Sequence, residues 1–403
     1  MNAICLVIDR LHVGYVGAYG NAWIGTPALD RLAAEGFAFD AAFIESPELG
    51  PLYEAYWLGR HAMGPLAADT SRSLPALLSA RSVNTRLLTD DPAVAGHRLA
   101  GTFGQIIELN LPEPDAPAQT VEDTLLGRCF AQALELLDSA REPFLVWCHV
   151  GALGRAWDAP RALRLANCDA GDPEPPDTVA APDKMLPANY DPDELLAFSQ
   201  VYAAQVCVLD ACLGVVRDWL TASPIGRETL LVVTSARGFP LGEHLRVGPC
   251  DGALHAELVH VPMLFRLPDG LGASDRCGTL VQPSDLAPTL SEWFGVPPEP
   301  AGMAKSLLPT FRGESDGVHD RAGILGYGTE RAMVTPAWHL RQASSAELYL
   351  RPDDRWGAND VADRCPDVVE ALAAKLSQYE QTMQSNQITS LEPLDPLLLV
   401  GPE

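Results

Sequence analysis

Positive charge is scarce in this chain. Across 403 residues Lys and Arg number 28 against 53 Asp and Glu, which gives a formal net charge of −25 and an isoelectric point near 4.6. A chain this acidic repels phosphate backbones and anionic headgroups, so neither nucleic acid nor a membrane surface is expected as a partner. Long apolar runs are missing too. The N-terminal run Ala3-Ile4-Cys5-Leu6-Val7-Ile8 stops at Asp9 with no cleavage region behind it, so no secretory leader is expected, and no stretch is expected to span a bilayer. The nine cysteines (Cys5, Cys129, Cys148, Cys168, Cys207, Cys212, Cys250, Cys277 and Cys365) contain no C-x-x-C pair, and several sit in apolar runs. They read as reduced, mostly buried thiols of a cytoplasmic protein.

What is present is ordinary globular material, 47% hydrophobic, enough for a large core. After the first strand, Gly14, Gly17 and Gly20 mark a loop. Thr26-Pro27 opens a helix that Gly36 ends, and Phe37 to Phe43 alternates as a strand. Helices are then expected near 73–80, 121–140, 193–220 and 284–294, with strands near 85–88, 144–148, 230–234 and 261–267. Residues 168–194, rich in Pro, Asp and Ala, read as a surface excursion and the best candidate for mobility. From about Arg312 the runs are short and close, at 321–325, 332–334, 338–342 and 348–350, followed by a helix from Pro366 to about Met383. The expected architecture is α/β, a large mainly parallel sheet sandwiched by helices over 1–311, with a small C-terminal antiparallel sheet plus helix over 312–403.

Several stretches in a fixed order make the chain resemble the sulfatase family of the alkaline phosphatase superfamily. They are Gly17-Ala18-Tyr19-Gly20, Thr26-Pro27-Ala28-Leu29-Asp30-Arg31-Leu32-Ala33, Leu58-Gly59-Arg60 and Leu241-Gly242-Glu243-His244. Val261-Pro262, Asp285-Leu286-Ala287-Pro288-Thr289-Leu290, Ser306-Leu307-Leu308-Pro309 and Glu347-Leu348-Tyr349 follow. The resemblance implies the alkaline-phosphatase-like sulfatase fold. It also implies a catalytic loop C-x-P-x-R, whose cysteine becomes formylglycine, and a calcium ion held by aspartates after two strands.

Those catalytic positions depart from the family pattern. Laid on the loop, Pro51 and Leu58-Gly59-Arg60 match, but Leu49 stands at the cysteine and Tyr53 at the arginine. The metal pairs read Asp9-Arg10 and Ala236-Arg237, with guanidinium groups where a hard cation needs oxygens. The Gly-Lys-x-His turn becomes Thr89-Asp90-Asp91-Pro92, the Asp-Pro-His becomes Ala152-Leu153-Gly154, and the later lysine falls on Asp251. Nucleophile, Lewis acid and leaving-group acid are thus all expected to be missing, with calcium and any other cofactor absent.

Arg10 and Arg237 have two uses open to them. They can pair with Asp9 or another acid and fill the vacated site, or they can hold a sulfate, phosphate or carboxylate between two forks. His149 and His244 are further ligand candidates, although scaffold roles fit them better, since no spacing among the histidines is a ligand motif. The expected function is a non-catalytic member that binds a small anionic ligand or a protein partner. The alternative is a sulfuric or phosphoric ester hydrolase using a set such as Asp9, His12, Glu48, His149 and His244.

Overall fold

The computed structural model describes residues 1–249, 251–297, 302–315, 318–385 and 391–401. In chain order its first elements are β1 (Asn2–Ile8), α1 (Pro27–Glu35), β2 (Phe37–Phe43), α2 (Leu49–Leu58), α3 (Leu74–Ser79), β3 (Asn84–Thr89), β4 (Gln105–Glu108), α4 (Leu125–Asp138) and β5 (Phe144–Val150). There follow α5 (Pro192–Ala222), β6 (Thr229–Thr234), β7 (His260–Arg266), β8 (Asp275–Val281) and α6 (Leu286–Trp293). The chain continues with β9 (Ala322–Leu325), β10 (Arg331–Val334), β11 (Trp338–Gln342), β12 (Ala346–Leu350) and α7 (Pro366–Gln384).

Strands β1, β5 and β6 are buried from end to end, which is why they read as unbroken apolar runs: helices cover both faces of the sheet they share. That sheet has eight strands in the order β8-β2-β7-β6-β1-β5-β3-β4. Only β7 runs against its neighbours β2 and β6, and the other pairs are parallel. The first strand–helix–strand unit does not make adjacent strands, because β6 and β7 lie between β1 and β2. β4 and β8 escaped the sequence reading. Both lie at sheet edges, where polar side chains interrupt the apolar pattern.

Two expectations change. Contrary to the reading that nothing is long enough to cross a bilayer, α5 has the length and apolar composition to do so, yet 67% of its most apolar window is buried inside the protein. It packs on α1, α4 and the sheet as a core helix, with Asp191 accepting from the Asp193 N–H at its start. The acidic excursion 168–194 is fastened down. Arg164, fully buried, donates to the carbonyls of Trp157, Ala159, Pro176 and Thr178, while Arg161 pairs with Glu174 and Asp177. Lys184–Met185 pairs with Arg246–Val247 as a short two-stranded ladder. Composition marked the excursion, but the two arginines that hold it lie outside it.

β9 to β12 form an antiparallel meander backed by α7. Its inner residues Ala322, Ile324, Ala332 and Val334 belong to the same apolar cluster as Phe43, Ile44 and Leu58 of the large domain. The carboxyl ends of β1, β3, β5 and β6 lie side by side. In open α/β sheets that edge is where ligands bind.

Candidate functional site

Two carboxylates and two guanidinium groups interlock at that edge. Arg10, just past β1, grips Asp251 with both terminal nitrogens at 2.5 and 2.8 Å. Arg237, just past β6, grips Asp9: Nε donates to Oδ1 at 3.0 Å and Nη2 to Oδ2. Arg237 Nη1 also reaches Asp251 Oδ2 and the Pro47 carbonyl, both at 3.2 Å, which closes a ring of alternating charge. The four side chains sum to zero, and Asp9 and Arg10 are each 4% exposed. Burial alone would raise the Asp9 carboxyl, but Arg237 and Arg10 outweigh it and hold Asp9 well below the usual carboxylate range. Burial pulls Arg237 the other way, and Asp9 more than restores it, leaving Arg237 above its ordinary value.

The backbone is built for this ring. Arg10 sits at φ 70°, a left-handed conformation that costs a non-glycine residue roughly 1–2 kcal/mol. Tyr202 compensates by donating its hydroxyl to the Arg10 carbonyl at 2.7 Å and accepting from the His12 N–H at 2.8 Å. Ser235 ties the two strand ends, accepting from the Leu11 N–H and donating to the Arg237 carbonyl. Gly154 leaves the space the arginine stem fills, since a Cβ there would lie 2.5 Å from Arg10 Cγ.

Leu49 is the first residue of α2 and packs half-buried on the core. One turn on, the buried Tyr53 hydroxyl shares a hydrogen bond with His149 Nδ1 at 2.7 Å. Burial pushes the His149 pKa down despite Asp9, Asp90 and Asp91 nearby. Its Nε2 has no hydrogen-bond partner among the described residues and lies 3.8 Å from Asp91. Asp90 serves the scaffold: its Oδ1 accepts from the Gly151 N–H at 2.6 Å and its Oδ2 from Arg155 at 2.9 Å.

The ligand candidates therefore separate. Asp9, Arg10 and Arg237 come together, and His149 lies close enough to feel Asp9 and Arg237. His244 does not join their hydrogen bonds. It contacts Glu257 at 2.9 Å and the Gly357 carbonyl at 2.8 Å, and stacks on His255 with centroids 3.6 Å apart. The alternative set disperses likewise. His12 accepts from the Gly14 N–H and faces Glu243 at 3.3 Å, while the Glu48 N–H donates to Ser46 Oγ as α2 begins. Sequence reasoning missed Asp251 as the partner of both arginines. The signal was available: an acid stands where the resemblance calls for a lysine, as arginines stand where it calls for acids.

These residues do not fit a calcium ion. Calcium takes six to eight oxygens. Here Ala236 supplies none from its side chain, both Asp9 oxygens are engaged by Arg237, and two fixed positive charges border the space. Among the described residues no group of three or more His, Cys, Asp or Glu side chains is placed to hold a metal.

Comparison with known proteins bears on what this site descends from. The chain is 24% identical over 359 residues to the Delta 4,5-hexuronate-2-O-sulfatase of Bacteroides thetaiotaomicron, covering 78% of this chain and 72% of that protein. It is 25% identical over 397 residues to the multifunctional alkaline phosphatase superfamily protein PehA of Trinickia caryophylli, covering 76% of each. In fold it matches the phosphonate monoester hydrolase of Agrobacterium radiobacter with a TM-score of 0.76 at 16% identity, over 95% of this chain and 96% of that one. A protein solved with its substrate D-glucosamine-2-N,6-O-disulfate gives 0.75 at 17% identity, over 96% and 99%. The sulfatase family model matches residues 1–296, which is most of the chain. With that match and the alkaline-phosphatase-like sheet, the chain belongs to the sulfatase family.

Proposed function

We propose that this sulfatase-family chain is non-catalytic toward sulfate esters and acts by binding an anionic small molecule or a protein. The observation that carries the reading is the closed ring of Asp9, Arg237, Asp251 and Arg10, in which the chain's own guanidinium groups take up the carboxylates a metal would need. Leu49 cannot be oxidised to an aldehyde, and no other nucleophile stands beside a base in this ring. The forks of both arginines are committed to carboxylates, which favours their structural use over anion binding between them. The free thiols Cys5, Cys129, Cys148 and Cys212, all buried, suit a reducing compartment such as the cytoplasm.

The test is turnover by the purified full-length chain of 4-nitrophenyl sulfate, 4-nitrophenyl phosphate and a phenylphosphonate monoester, with calcium, magnesium, manganese or zinc in turn. Rates equal to buffer are expected throughout. One observation favours the hydrolase alternative, the buried His149 Nε2, which has no hydrogen-bond partner among the described residues and lies beside Asp91. Turnover that a His149→Gln variant abolishes would establish that alternative and end the non-catalytic reading.

A further inference from the structure

Away from the Asp9 ring, a cavity of about 440 Å³ opens between the edge of the large sheet and the C-terminal meander. Arg276 of β8 and Asp40 of β2 line it from the sheet side, and Arg351 and Arg355 line it from the segment after β12. Three guanidinium groups thus face one carboxylate, in a chain whose net charge is −25. The three are not equal. Arg276 is paired with Asp40 and donates to the Ala18 carbonyl at 2.7 Å. The Arg351 guanidinium donates Nη1 to the Thr335 carbonyl at 3.1 Å and lies over the Phe43 ring at 4.7 Å. Arg355 donates Nη1 to the Tyr19 carbonyl at 2.7 Å and lies over the Trp356 ring at 4.6 Å, while its buried Nε has no acceptor among the described residues.

Two positive charges therefore stand together with no carboxylate among the described residues in contact with them. Burial and the neighbouring Arg355 push the Arg351 pKa down to about 10, and burial lowers Arg355 against the pull of Asp40; guanidinium groups keep their charge at neutral pH, so the two repel each other. An incoming dianion would relieve that repulsion and supply the missing acceptor. Cavities of roughly 300–1,000 Å³ hold small molecules, so the space takes more than a bare anion. At neutral pH a phosphomonoester carries about −1.5 to −2 charges. A sulfate monoester carries only one, which leaves one arginine uncompensated.

We propose that this cavity binds a phosphorylated small molecule, its phosphate held by Arg351 and Arg355 while Asp40 fixes Arg276 beside it. The site shares no residue with the Asp9 ring, so it stands whether or not the family site is active.

Calorimetric titration of the full chain in low-salt buffer at pH 7.5 tests it, with glucose 6-phosphate, glucose 6-sulfate, glucose and inorganic phosphate as probes. Saturable binding is expected for the two phosphates, weaker binding for the sulfate ester and none for glucose. At pH 5 the phosphate ester approaches a single charge and should lose its advantage over the sulfate ester. Arg355→Gln should lower phosphate affinity at least about tenfold, the scale of one charge-assisted hydrogen bond. Asp40→Asn removes the one carboxylate that lines the cavity among the described residues, without removing an arginine, and should tighten binding several-fold. Arg237→Gln should leave it unchanged. Absence of phosphate binding, tighter binding of the sulfate ester, or binding lost in Arg237→Gln yet insensitive at Arg355 and Asp40 would each overturn the assignment.

Discussion

Gly154 and Arg10 show how one residue's identity dictates another's. With a Cβ at position 154 only 2.5 Å from Arg10 Cγ, no larger side chain fits while Arg10 reaches Asp251. A side chain at position 154 and Arg10 in its place in the ring therefore exclude each other. Gly154→Ala should cost about 1–3 kcal/mol, read as a lower midpoint in urea with an unchanged slope. A silent Gly154→Ala would mean that Arg10 can leave the ring freely. Asp9 makes a second prediction. Its native pKa lies below its unfolded value of about 3.9, so its contribution is complete above that value and fades as pH falls toward the depressed native value. Asp9→Asn should destabilise the chain at pH 7 by about 3 kcal/mol and flatten the loss of thermal stability below pH 4. If wild type and variant lose stability in parallel on acidification, Asp9 is not held by the arginines. Both arginines could be singled out in the sequence because the family motif supplied a register for them. The same register marked Asp251 as an acid in place of a lysine, but its pairing with Arg10, 241 residues away, is made only by folding.

At the scale of elements, α2, the segment that the family resemblance lays on the catalytic loop, is a packing helix. Tyr53, Tyr56 and Trp57 are all fully buried, and the rings of Tyr53 and Trp57 meet at a tilt with centroids 4.5 Å apart. Buried Glu45 ahead of the helix accepts from the N–H groups of Ala62 and Ser284, fastening both ends of the α2 segment to the sheet and to the turn before α6. A nucleophile reintroduced here would find neither metal nor acid. Leu49→Cys, coexpressed with a formylglycine-generating enzyme, should therefore show no hydrolysis of 4-nitrophenyl sulfate. Activity from that single change would mean that the arginine ring is compatible with catalysis. Tyr53→Phe removes the partner that His149 Nδ1 has among the described residues and should cost about 1–3 kcal/mol in chemical denaturation, as a buried polar atom is left alone. Elements buried on both faces were the legible ones, because hydrophobic runs and caps mark them. β4 and β8 were not, since at an edge the backbone ladder rather than the side-chain pattern makes the strand.

For the whole molecule, the change of style after Arg312 was legible as a shift from long to short strands, but the chemistry of the joint was not. The meander has a core of its own on the α7 side, where Met333, Trp338, Leu340 and Leu348 pack on Val368, Leu372 and Leu376, but its other face is shared with the large domain. Val318, Ala322, Ile324, Ala332 and Val334 are buried in the cluster that contains Phe43, Ile44 and Leu58 of the large domain. Arg321 reaches the Glu392 carbonyl and Lys375 pairs with Glu392, so α7 and the C-terminal tail brace the meander from behind. Burying those five side chains contributes on the order of 5–10 kcal/mol, as much as the entire net stability of a typical protein. Residues 1–311 expressed alone should therefore expose the apolar face around Phe43, bind a hydrophobic dye and lack a cooperative thermal transition, whereas the full chain should unfold in one. Two separated calorimetric transitions in the full chain, or a cooperatively folded 1–311 fragment, would show that the halves are independent. The cavity holding Arg351 and Arg355 would then lie at a joint free to open, rather than inside a fixed wall.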